Sequence, residues 1–220
     1  MRWMVKSMVF VCMAGIQAAC GEGGESNVMM KLKNVEVERG SALVRALAGR
    51  RSVRSFSGRE VGIEAIGELV WAAQGVSSAR GYRTAPSAGA LYPLETYVAT
   101  REGVYQYVPR EHALVVRGTN DVRGALARAA YGQSFVGRAP VVVIFTAVYE
   151  RETVKYGARG VMYTHMEVGH AAQNLMLRAV ELGLGTVAVG AFEERGVREA
   201  VGLGREETPV YLIPVGYAGE

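Results

Sequence analysis

Apolar residues recur along this chain in two rhythms, one helical and one extended. Over residues 62–73 the sequence GIEAIGELVWAA spaces them three and four apart, which predicts a helix with one buried face. A longer helix is predicted over residues 160–181, with Val161, Met166, Ala172, Leu175, Met176, Ala179 and Leu182 as its apolar stripe. Shorter helices are predicted over residues 42–48, where Ser41 can cap the start, from Asp121 to about Tyr131, and over residues 194–201. Residues 75–81 read as a loop. Residues 95–100 and 104–107 read as strands joined by the turn Arg101-Glu102-Gly103, and residues 114–116 continue the meander. The run PVVVIFT at 140–146 is unbroken and β-branched, as in a strand buried on both faces. Residues 186–189 and 210–215 read the same way. A meander combined with crossover helices predicts the α+β class, a mixed β-sheet flanked by helices.

The first twenty residues stand apart from this patterning. Arg2 and Lys6 precede a short apolar run and then small residues up to Ala18-Ala19-Cys20, the order of an export signal. The run is shorter than the ~20 apolar residues that a membrane-spanning helix needs. Its end resembles a bacterial lipoprotein signal, in which Cys20 is acylated and becomes a membrane tether, although Gln17 stands where that motif usually has leucine. Residues 21–40 begin GEGGESN and are expected to form a flexible tether ahead of a domain over 41–220. The localisation that follows is periplasmic, or lipid-anchored at the cell envelope. A misassigned start codon or a buried N-terminal helix is the alternative, and it leaves the protein cytoplasmic.

Composition narrows the chemistry. At 220 residues and 50% hydrophobic, the chain can bury one sizeable core. Its formal charge is +4, but without residues 1–20 there are 23 basic and 21 acidic residues, a net of +2. That excess is too small to point to nucleic acid or a membrane surface. Cys12 and Cys20 both lie in the N-terminal segment, so the body offers no disulfide, cysteine nucleophile or thiolate metal site. His165 and His170 are five residues apart, on different faces of a helix, where the zincin pattern needs four. No metal is expected.

Four stretches carry candidate chemistry. Arg50-Arg51-Ser52-Val53-Arg54 gathers three guanidinium forks and a hydroxyl at a helix end, the donor set of a phosphate clamp or simply a solvated face. The small residues of the loop around Pro86-Ser87-Ala88-Gly89 let backbone approach a flat ligand closely, or form an ordinary connection. Gly183, Gly185 and Gly190 tempt a dinucleotide reading, but they follow a helix and precede a strand, the reverse of that fingerprint. They more simply end the helix and shape the next strand's exit. The chain has 21 arginines and four lysines, and Lys155 is the only lysine beyond the tether. Lysine can give up its proton where arginine scarcely does, and Tyr156 beside it is a second proton donor.

Taken together, RRSVRSFSG at 50–58, RTAPSAGALYPLETYV at 83–98, APVVVIF at 139–145, KYGARG at 155–160, EVGHAAQNLMLRAVELGLGTVAVGAF at 167–192 and PVYLIPVGY at 209–217 resemble the nitroreductase superfamily. The SagB-type branch, which includes the azoline dehydrogenases, is most similar. The resemblance implies a homodimer that binds FMN and transfers hydride between a donor, NAD(P)H among them, and a small-molecule acceptor. It implies that Arg50, Arg51, Ser52 and Arg54 hold the phosphate and ribityl end. Pro86, Ser87, Ala88 and Gly89 would pack on the isoalloxazine, usually from the partner subunit. Gly190 and Ala191 would place N–H groups near the flavin N5 and O4, with Gln133 as a further contact. Lys155 and Tyr156 would be catalytic, removing a substrate proton. Ala90 and Tyr92 stand where ordinary nitroreductases have Asn and Gln, a departure that fits the SagB-type branch. No azoline-pathway partner is recognisable, so a flavin-binding protein without ordinary turnover, a scavenger or consumer of flavin, is the alternative function.

Overall fold

The computed structural model describes residues 29–219. The expected signal, with Arg2, Lys6, Cys12, Gln17 and the acylation site Cys20, and the first part of the tether lie outside the described residues. Residues 29–36 carry no helix or strand. Two compact units divide the chain at Glu36, and the second, Val37–Glu220, holds all the regular structure described here.

Six strands form one sheet: β1 Leu94–Ala99, β2 Val104–Val108, β3 Ala113–Gly118, β4 Val141–Ala147, β5 Gly185–Thr186 and β6 Thr208–Gly216. Their spatial order is β3-β2-β1-β4-β6-β5. Every pair of these strands is antiparallel. The mixed sheet predicted from crossover helices is therefore antiparallel in its named ladders. Among the described residues, parallel pairing is confined to the Ser52–Thr186 bridge.

Period-two alternation explains the unbroken run in β4. Val141, Val143, Phe145 and Ala147 enter one core, with Leu94, Val98, Ile213 and Val215 from neighbouring strands. Val142 and Ile144 enter the other, with Tyr97, Ala99 and Leu212. Helices α2 (Ile63–Gln74) and α6 (Arg159–Glu181) cover the first face. Helices α3 (Arg123–Ala129), α4 (Ser134–Arg138) and α7 (Glu194–Val201) cover the second. Helix α1 (Ala42–Gly49), capped by Ser41 accepting from Val44 N–H, packs on α6.

Three sequence expectations are corrected. The helix expected from Asp121 to about Tyr131 is α3, which ends at Ala129 before Tyr131 and Gly132 take positive φ (55° and 76°) and turn the chain into α4, a helix the sequence reading did not foresee. The strand expected over 186–189 is regular only at Gly185–Thr186. Opposite its next position stands Pro214, which has no N–H to donate, and pairing resumes at Val189 with Leu212. On α6, Met166 is 51% exposed and Val161 37%, since the buried face runs instead through Thr164, Glu167, Val168 and Ala171. A stripe drawn from apolar residues alone passed over two buried polar ones. Helix α5 (Glu150–Tyr156) was not anticipated at all.

Candidate functional site

The expected site residues fall into two groups. The first is built where α1 ends. Arg50 caps that helix with its N–H on Ala46 O (2.9 Å), then turns extended so that the chain runs beside β5. Val53 N–H donates to Thr186 O (2.9 Å), and Gly185 permits this approach, since a Cβ there would lie 2.7 Å from Val53 Cβ. Gly183 (φ 70°) follows the end of α6, and Leu184 N–H returns to Ala179 O (2.8 Å). The glycines at 183 and 185 thus end a helix and admit a neighbouring strand, as the sequence implied.

This packing leaves Arg51, Ser52 and Arg54 exposed and Arg50 half-buried. Arg51 folds back, its Nη1 donating to Ala48 O and Arg50 O (both 2.8 Å). Arg54 lies over the Phe135 ring (5.8 Å). None of the three arginines pairs with a carboxylate among the described residues. The group extends to Ala191 through Gln133, whose Nε2 donates to Ala130 O (3.0 Å) and Ala191 O (3.1 Å). Gln133 therefore holds Ala191 in place and keeps only its own oxygen free. Gly190 and Ala191 are exposed, and their N–H groups have no acceptor among the described residues. A Cβ at Gly190 would meet only Tyr211, at 3.7 Å, so a flat ligand has room there. Gly190 lines a cavity of 460 Å³ with Tyr149, His165, Phe192 and Tyr211.

The second group forms around Gly89. Residues 88–90 make one 3-10 turn, with Gly89, Ala90 and Tyr92 at φ 60°, 54° and 49°. Strained backbone of this kind persists where surroundings over-determine it. Here Tyr92 N–H donates to Ser87 Oγ (2.8 Å), and Arg83 N–H donates to the Tyr92 hydroxyl (3.1 Å). Lys155 and Tyr156, from the last turn of α5, come to this turn. A Cβ on Gly89 would lie 2.7 Å from Tyr156 Oη and 2.9 Å from Lys155 Nζ. The positive φ favours glycine there, and the predicted pair meets the predicted loop.

No hydrogen bond or ion pair among the described residues joins the two groups. Residues 86–89, Lys155 and Tyr156 line neither the 460 Å³ cavity nor the larger 840 Å³ one, which lies between the start of α2 and β2–β3. Residues overlooked by sequence reasoning surround the second group. Arg83 Nη1 donates to Gln74 Oε1 (2.8 Å), and Gln74 Nε2 to Glu167 Oε1 (3.4 Å). Burial pushes the Glu167 carboxyl up to about 7. The legible signal was an acid inside the buried stripe of a helix, at position 167.

The sequence profile of the nitroreductase family matches residues 47–217. The chain belongs to the nitroreductase family. A nitroreductase-named protein of Methanocaldococcus jannaschii is 47% identical over 176 residues, 77% of this chain and 88% of that one. A solved nitroreductase-named structure from Ralstonia eutropha is 30% identical, with a TM-score of 0.75 over 86% of this chain and 89% of that one. The microcin B17-processing protein of Escherichia coli is a more distant relative, 26% identical over 60% of this chain and 52% of its own length. As a member of this oxidoreductase family the chain is an enzyme. Family members generally bind FMN and use NAD(P)H as electron donor. The first group fits such a ligand chemically: unpaired guanidiniums and a hydroxyl suit a phosphate, and two free N–H groups beside an open glycine suit a planar acceptor edge.

Proposed function

We propose that this nitroreductase-family enzyme is FMN-dependent and that its site is completed by a second copy of the chain. The observation that carries the reading is the set of donors without acceptors at one edge of the sheet: Arg50, Arg54, Ser52 and the N–H groups of Gly190 and Ala191. Arg50, Arg54 and the free edge of Arg51 bind the phosphate, with Ser52 as a compact donor. Gly190 and Ala191 donate to the ring edge, and Gln133 fixes their geometry. Residues 86–89 of the partner's copy close the opposite side, which accounts for the two groups remaining unjoined in one chain. When bound, FMN supplies two-electron chemistry, accepting and returning hydride, while the protein supplies position and charge. Lys155 Nζ and Tyr156 Oη hold and move the proton that accompanies that transfer.

Dimerisation has its own support. Val161, Met162 and Met166 on α6 and Leu43 and Leu47 on α1 are large apolar residues left exposed in the single chain, as surfaces covered by a partner are. The finer assignment, a SagB-type dehydrogenase, is supported by the Lys155-Tyr156 pair at the 86–89 turn and by similarity to the microcin B17-processing protein. Export through residues 1–20, with Cys20 as the tether, rests on the sequence; an intact Met1 on the mature protein would overturn it.

One preparation tests the core of this reading. The purified protein is expected to be yellow, to retain flavin through gel filtration as a dimer, and to oxidise NAD(P)H with a quinone or nitroarene acceptor. A colourless protein that FMN does not titrate overturns it. Bound flavin that no nicotinamide reduces points instead to a flavin-holding protein without turnover.

A further inference from the structure

Behind the 86–90 turn lie two carboxyl groups for which the proposed chemistry has no use. Glu152, on α5, is fully buried, and Glu167, on α6, is 2% exposed. Each keeps one oxygen, Glu152 Oε1 and Glu167 Oε2, buried with no hydrogen-bond partner. Buried carboxyls without full satisfaction are costly and are retained where they serve something. Their other contacts converge on the turn. Glu152 accepts from the Thr164 hydroxyl (2.9 Å) and stands beside the Ala88 N–H without a formed hydrogen bond to it. Glu167 accepts from Gln74 (3.4 Å) and stands beside the Ser87 hydroxyl, which itself accepts from the Tyr92 N–H. Ser87 and Ala88 are the two residues that precede Gly89, against which Lys155 and Tyr156 rest.

We propose that Glu152 and Glu167 are positioning residues that anchor the 86–90 turn through Ala88 and Ser87, and thereby set Tyr156 Oη and Lys155 Nζ. The inference rests on the reading that this turn and this pair form part of the active site. It assigns the pair a role apart from packing, because Glu152 stands on the same helix as Lys155 and Tyr156, three and four residues ahead of them. One helix thus carries both the anchor of the turn and the groups that meet it.

The anchor is sensitive to charge. Around Glu167 stand Glu152 from α5, Gln74 from α2, and Ser87 and Arg83 from the loop; Arg83 in turn is drawn to Glu95 and Tyr92 and repelled by Arg151. Glu95 has its own cation in Arg151 (2.6 Å), and the one half-buried guanidinium of Arg83 cannot neutralise two buried carboxylates. Burial first, and then Glu152, therefore favour the neutral form of Glu167. Burial likewise raises Glu152. When Glu167 loses its proton, a second negative charge stands with Glu152 behind the turn and its hold loosens.

Amide hydrogen exchange of the 86–92 segment in the flavin-free full chain reads this directly, alongside FMN titration. After correction for intrinsic rates, wild-type exchange there is expected to rise several-fold between pH 6 and 8. Glu167→Gln should keep the turn protected and abolish that rise, since the amide mimics the protonated acid. Glu167→Ala should raise exchange about tenfold at pH 6, and in the loaded enzyme lower kcat with KM little changed. Should Glu167→Ala fold poorly, the wild type against Glu167→Gln across pH still decides. Exchange that is independent of pH in the wild type, or identical in wild type and Glu167→Gln, overturns the proposal. If exchange behaves as expected but FMN does not bind, the cofactor reading fails and the anchor stands. If FMN binds and turns over while exchange is unmoved, the anchor alone fails.

Discussion

The two halves of the candidate site are made of opposite materials. Around Arg50–Arg54 the groups are exposed, cationic and short of acceptors, and they need little more than a helix end and a strand edge to hold them. Behind Gly89 the supporting groups are buried, acidic and short of donors, while Lys155 itself is exposed, and the arrangement depends on α2, α5, α6 and a strained turn meeting at one place. The first region is built to attract a ligand by charge; the second is built to hold a few atoms still. Substitutions should therefore act on affinity in the first region and on turnover or stability in the second.

The largest expected effect tests that division. Lys155→Ala should lower turnover by roughly 10²–10⁴-fold, the usual worth of a positioned proton-transfer group, while flavin content is preserved. Turnover unchanged with several substrates would remove Lys155 from the chemistry. Arg54→Ala should instead weaken FMN retention by roughly 1.5–3 kcal/mol, the worth of a hydrogen bond to a charged group. Flavin content undiminished after dialysis would count against the clamp.

Acidity distinguishes the regions next. The folded-state value of Glu167 lies at about 7, above the 4.5 of an ordinary glutamate. Its contribution to stability is therefore complete below about pH 4.5 and is lost as pH rises through about 7. The loss amounts to about 3 kcal/mol at most. Urea unfolding across that range should show the slope in the wild type and lose it in Glu167→Gln.

The smallest effects compare two glycines. Gly89→Ala places a methyl within 2.7 Å of Tyr156 Oη at a φ of 60°, and should cost roughly 1–2 kcal/mol and impair turnover. Gly190→Ala meets only Tyr211 at 3.7 Å and should leave stability within about 0.5 kcal/mol, with its penalty confined to flavin affinity. Thermal unfolding of both apo variants separates them.

Most of the elements were legible because burial imposes periodicity. The β4 run announced a strand with two covered faces, and Ser41 announced the start of α1. Helix α5 was not legible: its seven residues, ERETVKY, are almost all polar, and only Glu152 is buried. The arginine cluster could be read as a motif since its residues are adjacent in sequence. The Arg83–Gln74–Glu167 chain could not, because its members are as much as 93 residues apart and belong to types usually found on the surface.

By itself, then, the sequence determined the α+β class, the family, the cationic cluster and the distinctiveness of the lone body lysine. These follow from local order: spacing, adjacency and composition. Only the tertiary structure decided that Lys155 and Tyr156 meet Gly89, that Gln133 serves Ala191, and that two acids stand buried behind the turn. Those facts depend on which elements pack together. A carboxyl group on a helix becomes a costly, proton-holding anchor only once neighbouring elements have taken its water away.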